Sequence, residues 1–213
     1  MEKVLAEIKD WGRAVRANRL FWPVLLGALL VVALDQGSKN WIVYGLELPE
    51  QIRPCAKSPS DMCRQIALSP IFDLTYVQNR GASFGMLAGG AAGRTFLTIV
   101  SFGVVIGLII WLGRLVRPVS AVAIAFIIGG ALGNLYDRVT LGYVVDFLDF
   151  SGAYFPWVFN IADVAINIGV ALLLFDAWRE AREAKLAAVV PENMGPTTKA
   201  GPVASSASDQ PHT

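Results

Sequence analysis

Four runs of apolar residues, each approaching the length needed to cross a bilayer, alternate with polar connections along the chain. Leu20–Leu34 lies between Arg19 and Asp35, Thr95–Gly113 between Arg94 and Arg114, and Pro118–Tyr136 between Arg117 and Asp137. The fourth, from about Phe155 to Trp178, is interrupted by Asp163 near its start and closed by Asp176 and Arg179. As a helix, Thr95–Gly113 rises about 28 Å, close to the hydrocarbon thickness. The pattern predicts a membrane all-α fold with four transmembrane helices, at 20–36, 95–113, 118–136 and 155–178. Residues 1–19 precede this membrane domain (20–178), and loops 40–94 and 137–154 interrupt it. Residues 186–213, rich in Pro, Ser, Thr, Ala and Gly, read as a disordered tail. The first run ends in Ala33-Leu34-Asp35-Gln36, without a small-x-small cleavage pattern, so the span is expected to be retained. Gly103-x-x-x-Gly107 and Gly129-x-x-x-Gly133 would permit close helix packing, though such pairs are frequent in membrane helices.

Within the first long loop, Ile71–Val77 has the composition of a strand and Asn79-Arg80-Gly81 supplies a turn. A small extramembrane β-sheet or lid, on the periplasmic side, is therefore expected to accompany the helices. Cys55 and Cys63 lie in the same loop, and their spacing alone leaves a disulfide open.

Composition supports the membrane reading. Apolar residues make up 54%, charged residues only 16%, and mean hydropathy is +0.52. A soluble domain carries about 25% charged residues, so a water-soluble enzyme is excluded. Net charge is +1, which offers no broad basic surface for nucleic acid. The single histidine, His212, falls in the tail, removing Ser-His-Asp triads, Cys-His dyads and histidine metal sites. No cofactor or metal is called for.

Basic residues set the direction of the spans. Lys3, Lys9, Arg13, Arg16 and Arg19 precede the first, Arg114 and Arg117 join the second to the third, and Arg179, Arg182 and Lys185 follow the fourth. Cytoplasmic connections carry such an excess, so both termini are expected in the cytoplasm. That topology brings Asp35, Ser38 and Lys39 to the outer end of span one. It brings Asn134, Asp137 and Arg138 to the same end of span three, and Asn160, Asp163 and Asn167 to the outer half of span four. Asp146 lies in the loop between the last two groups. An ionisable residue at the centre of a membrane helix costs at least ~2.5–3.5 kcal/mol, so such residues signal function. Each helix presents one polar stripe, and these stripes must share an interior because lipid cannot satisfy them.

Asp35 has Lys39 at i+4 and Asp137 has Arg138 beside it, so these two acids read first as members of structural ion pairs. Asp146 and Asp163 have no lysine or arginine within one helical turn in sequence. Two carboxyls brought together in a poorly solvated site share one proton. Such a pair suits peptide hydrolysis through an activated water. From spacing alone a proton relay or ion-binding role stays open.

Five segments then carry a resemblance: Asp35-Gln36-Gly37-Ser38-Lys39, Asn79-Arg80-Gly81-Ala82-Ser83-Phe84-Gly85, Gly129 to Arg138, Val144-Val145-Asp146-Phe147, and Phe159-Asn160-Ile161-Ala162-Asp163. In this order, across roughly residues 20–178, they resemble the signature segments of bacterial lipoprotein signal peptidase, the type II signal peptidase. The resemblance implies an aspartyl endopeptidase of the inner membrane with its site near the periplasmic face. It implies Asp146 and Asp163 as the catalytic pair, supported by Asp35, Lys39, Asn79, Gly81, Asn134, Asp137, Arg138 and Asn160. The implied substrates are prolipoproteins carrying a diacylglyceryl group, cleaved just before the lipidated cysteine, and the implied inhibitors are globomycin-type cyclic peptides. Membrane lipid is the remaining partner, and a monomer is preferred. Leu48 to about Ser69 is longer than the pattern leads one to expect, which bears on the lid and not on the chemistry.

Two other readings compete. A Ser-Lys peptidase would use Ser38 or Ser83 with Lys39, but adjacent helical residues project about 100° apart. A small proton-coupled carrier would use Asp163 as relay, and would want ionisable residues near the bilayer midplane. The Gly-x-Gly-Asp motif of presenilin-like proteases is absent.

Overall fold

The computed structural model describes residues 2–54, 62–81 and 91–189. The described residues form five α-helices: α1 (Glu2–Ala17), α2 (Phe21–Asn40), α3 (Ala91–Leu112), α4 (Pro118–Thr140) and α5 (Ile161–Val189). Helices α2 to α5 are each long and apolar enough to cross a membrane. Residues 1–177 form one compact unit. In the second, beginning at Trp178, the helical residues carry an Arg179–Glu183 ion pair of 3.3 Å and the Arg182 guanidinium over the Trp178 ring. Of the expected tail, 186–189 continue α5, and residues 190–213, with His212, lie outside the described residues.

The helices depart from the charge-free runs at their ends. Span one, expected at 20–36, continues to Asn40 and then as a π-helical turn over Trp41–Gly45. Span three, expected at 118–136, continues to Thr140, so Asp137 and Arg138 lie on the helix instead of in a loop. Helices pass through charged residues where those residues find partners inside the protein. Span four, expected from 155, starts only at Ile161, because Ser151–Ala153 form a 3₁₀ turn and Val158–Phe159 a strand. The basic N-terminal segment, to which no element was assigned, is helix α1.

Helix α4 is the hub. Two thirds of its apolar window is buried, against 11–22% for the other spans, whose large apolar side chains such as Leu29, Ile99, Phe102 and Leu174 point outward. Its buried face is built from small residues, including Ala121, Ala123, Ala125, Gly129, Gly130, Ala131 and Gly133. Without a hydrophobic force between helices in lipid, close backbone approach supplies the packing. A Cβ on Gly129 would sit 2.6 Å from Val31 Cβ, and one on Gly133 would sit 2.5 Å from Asp35 Oδ2. Gly103 and Gly107 meet nothing within 4 Å, so of the two small-residue pairs only the one on α4 packs. Pro118 starts α4 at a position that needs no backbone donor, and Arg117 before it is extended, as proline demands.

Strands β1 (Arg53–Pro54) and β2 (Met62–Cys63) form an antiparallel pair. A second antiparallel sheet runs β3 (Gln65–Ala67), β4 (Asp73–Asn79), β5 (Val144–Asp149) and β6 (Val158–Phe159), in that order. The strand expected at 71–77 is thus shifted by two residues, and β5, which carries Asp146, was not expected. Ile42 and Leu48 anchor the sheet to the end of α2 by packing with Leu74, Tyr76, Val145 and Phe147. Cys63 is disulfide-bonded, while Cys55 lies outside the described residues.

Register carries one irregularity. Leu74 opposes Leu148, yet Val77 opposes Asp146, so Thr75 and Tyr76 together face one residue of β5. Opposed residues share a face of the sheet, and this bulge switches the alternation of β4. Val77 and Asn79 therefore lie on the face of Asp146. With uninterrupted pairing from Leu74, that face would have received Tyr76 and Gln78.

Gly133→Ala should lower stability by about 1–3 kcal/mol, since the added methyl displaces a buried carboxylate. Gly103→Ala should be neutral, and thermal unfolding of both variants in one detergent distinguishes the two positions.

Candidate active site

Lys39, at the last turn of α2, is 3% exposed and places its ammonium 2.7 Å from Asp35 Oδ2, 2.9 Å from Asp137 Oδ2 and 3.2 Å from Asn134 Oδ1. The ammonium thus makes two hydrogen bonds and a second ion pair. Burying a charge is tolerated only when it is paired and hydrogen-bonded, and each carboxylate is in turn held by other groups. Asp35 Oδ1 accepts the Ala162 backbone N–H at 2.9 Å, and Asp137 Oδ2 accepts that of Val145 at 3.1 Å. Ala162 precedes Asp163, and Val145 precedes Asp146. One buried cation therefore fixes, through two aspartates, the backbone beside each of the two remaining acids.

The start of α5 is a capping box built from Asn160 and Asp163. Asn160 Oδ1 accepts the Asp163 N–H at 2.9 Å, and Asp163 Oδ2 accepts the Asn160 N–H at 3.3 Å. A carboxylate in the first turn also suits the positive end of the helix dipole. The other oxygen of Asp163 accepts from Asn134 Nδ2 at 2.8 Å.

Asp146 is 2% exposed. Its Oδ1 accepts from Asn160 Nδ2 at 2.7 Å and its Oδ2 from Asn79 Nδ2 at 2.9 Å. Asn79 is aimed by its own loop, since its Oδ1 accepts the Gly81 N–H at 3.2 Å in an Asx turn. Burial first, and the nearby charge of Asp163 second, push the Asp146 carboxyl up to about 7, against the opposing hydrogen bonds from Asn79 and Asn160. Arg138 is electrostatically coupled to Asp163, Asp146 and Asp137, and one guanidinium N–H contacts the Asn134 carbonyl at 3.4 Å.

All ten residues singled out in the sequence as a candidate site thus belong to one connected arrangement: Asp35, Lys39, Asn79, Gly81, Asn134, Asp137, Arg138, Asp146, Asn160 and Asp163. Asn167 does not join it; it is exposed and bonds back to the Asp163 carbonyl of its own helix. Gln36 was missed as a member. Its amide donates to Asp35 Oδ2 at 3.1 Å, Gly133 O at 3.2 Å and Asp137 Oδ1 at 2.9 Å, clasping both clamped aspartates. The available signal was an uncharged amide beside Asp35 at membrane depth. Ser38 Oγ donates to the Asp35 carbonyl at 2.8 Å, and Lys39 is occupied by its acids, so no Ser38–Lys39 dyad forms. Ser83 lies outside the described residues.

Residues 27–179 match the family model of signal peptidase (SPase) II, well over half of the chain. The chain belongs to the signal peptidase II family. The lipoprotein signal peptidase of Caulobacter vibrioides is 51% identical over 162 residues, covering 76% of this chain and 89% of that relative. The lipoprotein signal peptidase of Brevibacillus brevis is 40% identical over 164 residues, covering 76% and 98%. Two bacterial membrane enzymes solved by the in meso method share the fold. One has TM-score 0.61 and 29% identity, covering 75% of this chain and 89% of that one; the other has 0.58 and 31%, covering 73% and 92%. As a signal peptidase II family member the chain is a protease with membrane-spanning helices.

Lys39→Met should destabilise the protein by about 3–5 kcal/mol, because two buried carboxylates lose their common cation. The midpoint of thermal unfolding in detergent measures this, and an unchanged midpoint would contradict the clamp.

Proposed function

We propose that this chain removes the signal peptide from prolipoproteins carrying a diacylglyceryl group, cleaving just before the lipidated cysteine, with Asp146 and Asp163 as the catalytic carboxylates. The observation that carries this reading is the meeting of the two acids at Asn160, whose amide N–H holds Asp146 and whose amide oxygen holds the Asp163 backbone. Family membership supplies the substrate class.

Asp146, whose carboxyl is pushed up to about 7 by burial and by Asp163, is the member of the pair assigned the proton. Asp163 takes a proton from a water whose oxygen attacks the scissile carbonyl carbon. Asp146 donates its proton to the carbonyl oxygen, giving a neutral tetrahedral diol. Collapse of the diol breaks the C–N bond as Asp163 passes its proton to the leaving amine and one diol hydroxyl gives its proton to Asp146, which restores the starting pair. Arg138 offsets the single negative charge that the pair carries through the cycle. Asp35, Lys39, Asp137, Asn134 and Gly81 act by position, and Asn79 and Asn160 also bias where the proton sits.

The basic residues support a topology with both termini cytoplasmic and the catalytic membrane domain (20–178) opening near the periplasmic face of the inner membrane. A signal peptide is a membrane helix and a diacylglyceryl group stays in the leaflet, so the scissile bond arrives at that interface. The exposed side chains of Tyr154, Phe155 and Trp157, in the connection between β5 and β6, suit the same level. The family also suggests globomycin-type peptides as inhibitors, and one copy contains every residue invoked.

Asp146→Asn and Asp163→Asn should each lower cleavage of a lipidated precursor by about 10²–10⁴-fold while the protein still accumulates. A gel-shift assay against lipidated and unlipidated precursors reads this. Full activity in either variant ends the assignment of the pair, and equal cleavage of the two precursors ends that of the substrate.

The rate should also fall as pH rises through about 7, since the proton-bearing form of Asp146 is the active one and is lost above its pKa. Asn79→Ala removes a hydrogen bond that favours the ionised form, so this falling limb should move to higher pH. A pH–rate profile of the two proteins side by side measures the displacement.

A further inference from the structure

Helix α1 precedes the stretch that matches the family, which begins at residue 27, yet its side chains reach the end of α3. Trp11 Nε1 donates to the Ile110 carbonyl at 3.1 Å, and Val15 is buried. A Cβ on Gly113 would meet Val15 Cγ2 at 3.0 Å and Trp11 Nε1 at 3.1 Å. Asn18 Nδ2 donates to the carbonyls of Leu112 and Leu115 at 2.9 and 2.8 Å, satisfying the end of α3. Between α1 and this end of α3 lies a cavity of about 850 Å³, lined by Glu7, Asp10, Trp11, Ala14, Ile110 and Arg114.

The walls carry both signs of charge at separate places. Glu7 and Asp10 stand on α1, and Arg114 stands just beyond α3. Asp10 is paired with Arg13, whereas neither Glu7 nor Arg114 has an ion-pair partner among the described residues. The Trp11 N–H is already used, which leaves its ring as apolar wall. From the cavity an apolar stripe continues along α3 through Ile110, Ile106 and Phe102, all exposed and four residues apart. Complementarity therefore asks for a molecule with an anion and a cation a few atoms apart, joined to a long apolar chain.

We propose that this cavity binds a glycerophospholipid bearing a primary amine, a phosphatidylethanolamine. Its phosphate meets Arg114, its ammonium donates to Glu7 and Asp10, and an acyl chain follows the stripe on α3. A phosphatidylglycerol lacks the cation, and the quaternary ammonium of a phosphatidylcholine cannot donate hydrogen bonds. The proposal does not depend on which acids perform the peptide cleavage.

The test is native mass spectrometry of the full chain, released from detergent micelles doped in turn with phosphatidylethanolamine, phosphatidylglycerol and phosphatidylcholine. Phosphatidylethanolamine should be retained about fivefold or more over the other two. Arg114→Gln should lower its retention about fivefold, whereas Arg114→Lys, which keeps the charge, should preserve it. The double variant Glu7→Gln, Asp10→Asn should erase the preference over phosphatidylglycerol without weakening phosphatidylglycerol itself. Equal retention of the three lipids, or a wild-type preference in the double variant, would overturn the proposal. So would displacement of the lipid by equimolar phosphoethanolamine, which has the same headgroup and no chains.

Discussion

The arrangement depends on one buried ammonium. Lys39 lies between Asp35 and Asp137, and each of these spends its second interaction on a backbone N–H of a different segment. Removing two carboxylates and an ammonium from water is expensive, and a hydrophobic replacement of such a triad is often as stable. What the triad supplies here is position. It joins the last turn of α2, the last turns of α4, the start of β5 and the start of α5 at one point. Catalytic constellations need their groups held to within about half an ångström, and a salt-bridged backbone contact at each acid achieves this without touching the acids.

Around that point the packing allows little adjustment. Gly133 faces Asp35 at a distance no methyl group could share, and Gly129 lets α2 approach α4 closely enough for Lys39 to reach Asp137. The same helix that carries Asn134, Asp137 and Arg138 is thus the one lined with small residues. Chemistry and packing are assigned to the same element, while α2, α3 and α5 turn most of their apolar bulk outward.

Much of this was legible in the sequence because hydrocarbon penalises polar atoms so strongly. Asp35, Lys39, Asn134, Asp137, Arg138, Asn160 and Asp163 stand out as charges and amides at the ends of apolar runs, and lipid leaves them only the protein interior. Helix ends were less legible for the same reason. Counting charge-free residues stops a helix at Asp35 or at Asp137, yet paired charges let it continue to Asn40 and Thr140. Strand β5 was hidden because Val144–Asp149 is buried at nearly every position, leaving no alternation to read. Strand β4 starts and ends two residues later than composition suggests, because Ile71 and Phe72 are as strand-like as Gln78 and Asn79 are not. Gln36 escaped notice because an amide beside a charge adds nothing to a charge count, and Asn167 was over-read because a lone asparagine can bond its own helix.

The bond from Ala162 to Asp35 spans 127 residues, from the final membrane crossing back to the opening one. Ribosomes release chains from the amino end, so Asp35 enters the bilayer long before its partner exists. Until α5 has been threaded in, the first turn of that helix has no cap from α2 and Asp163 has no fixed seat. With Asp163 in the catalytic role proposed above, the site is complete only once this last helix is in place.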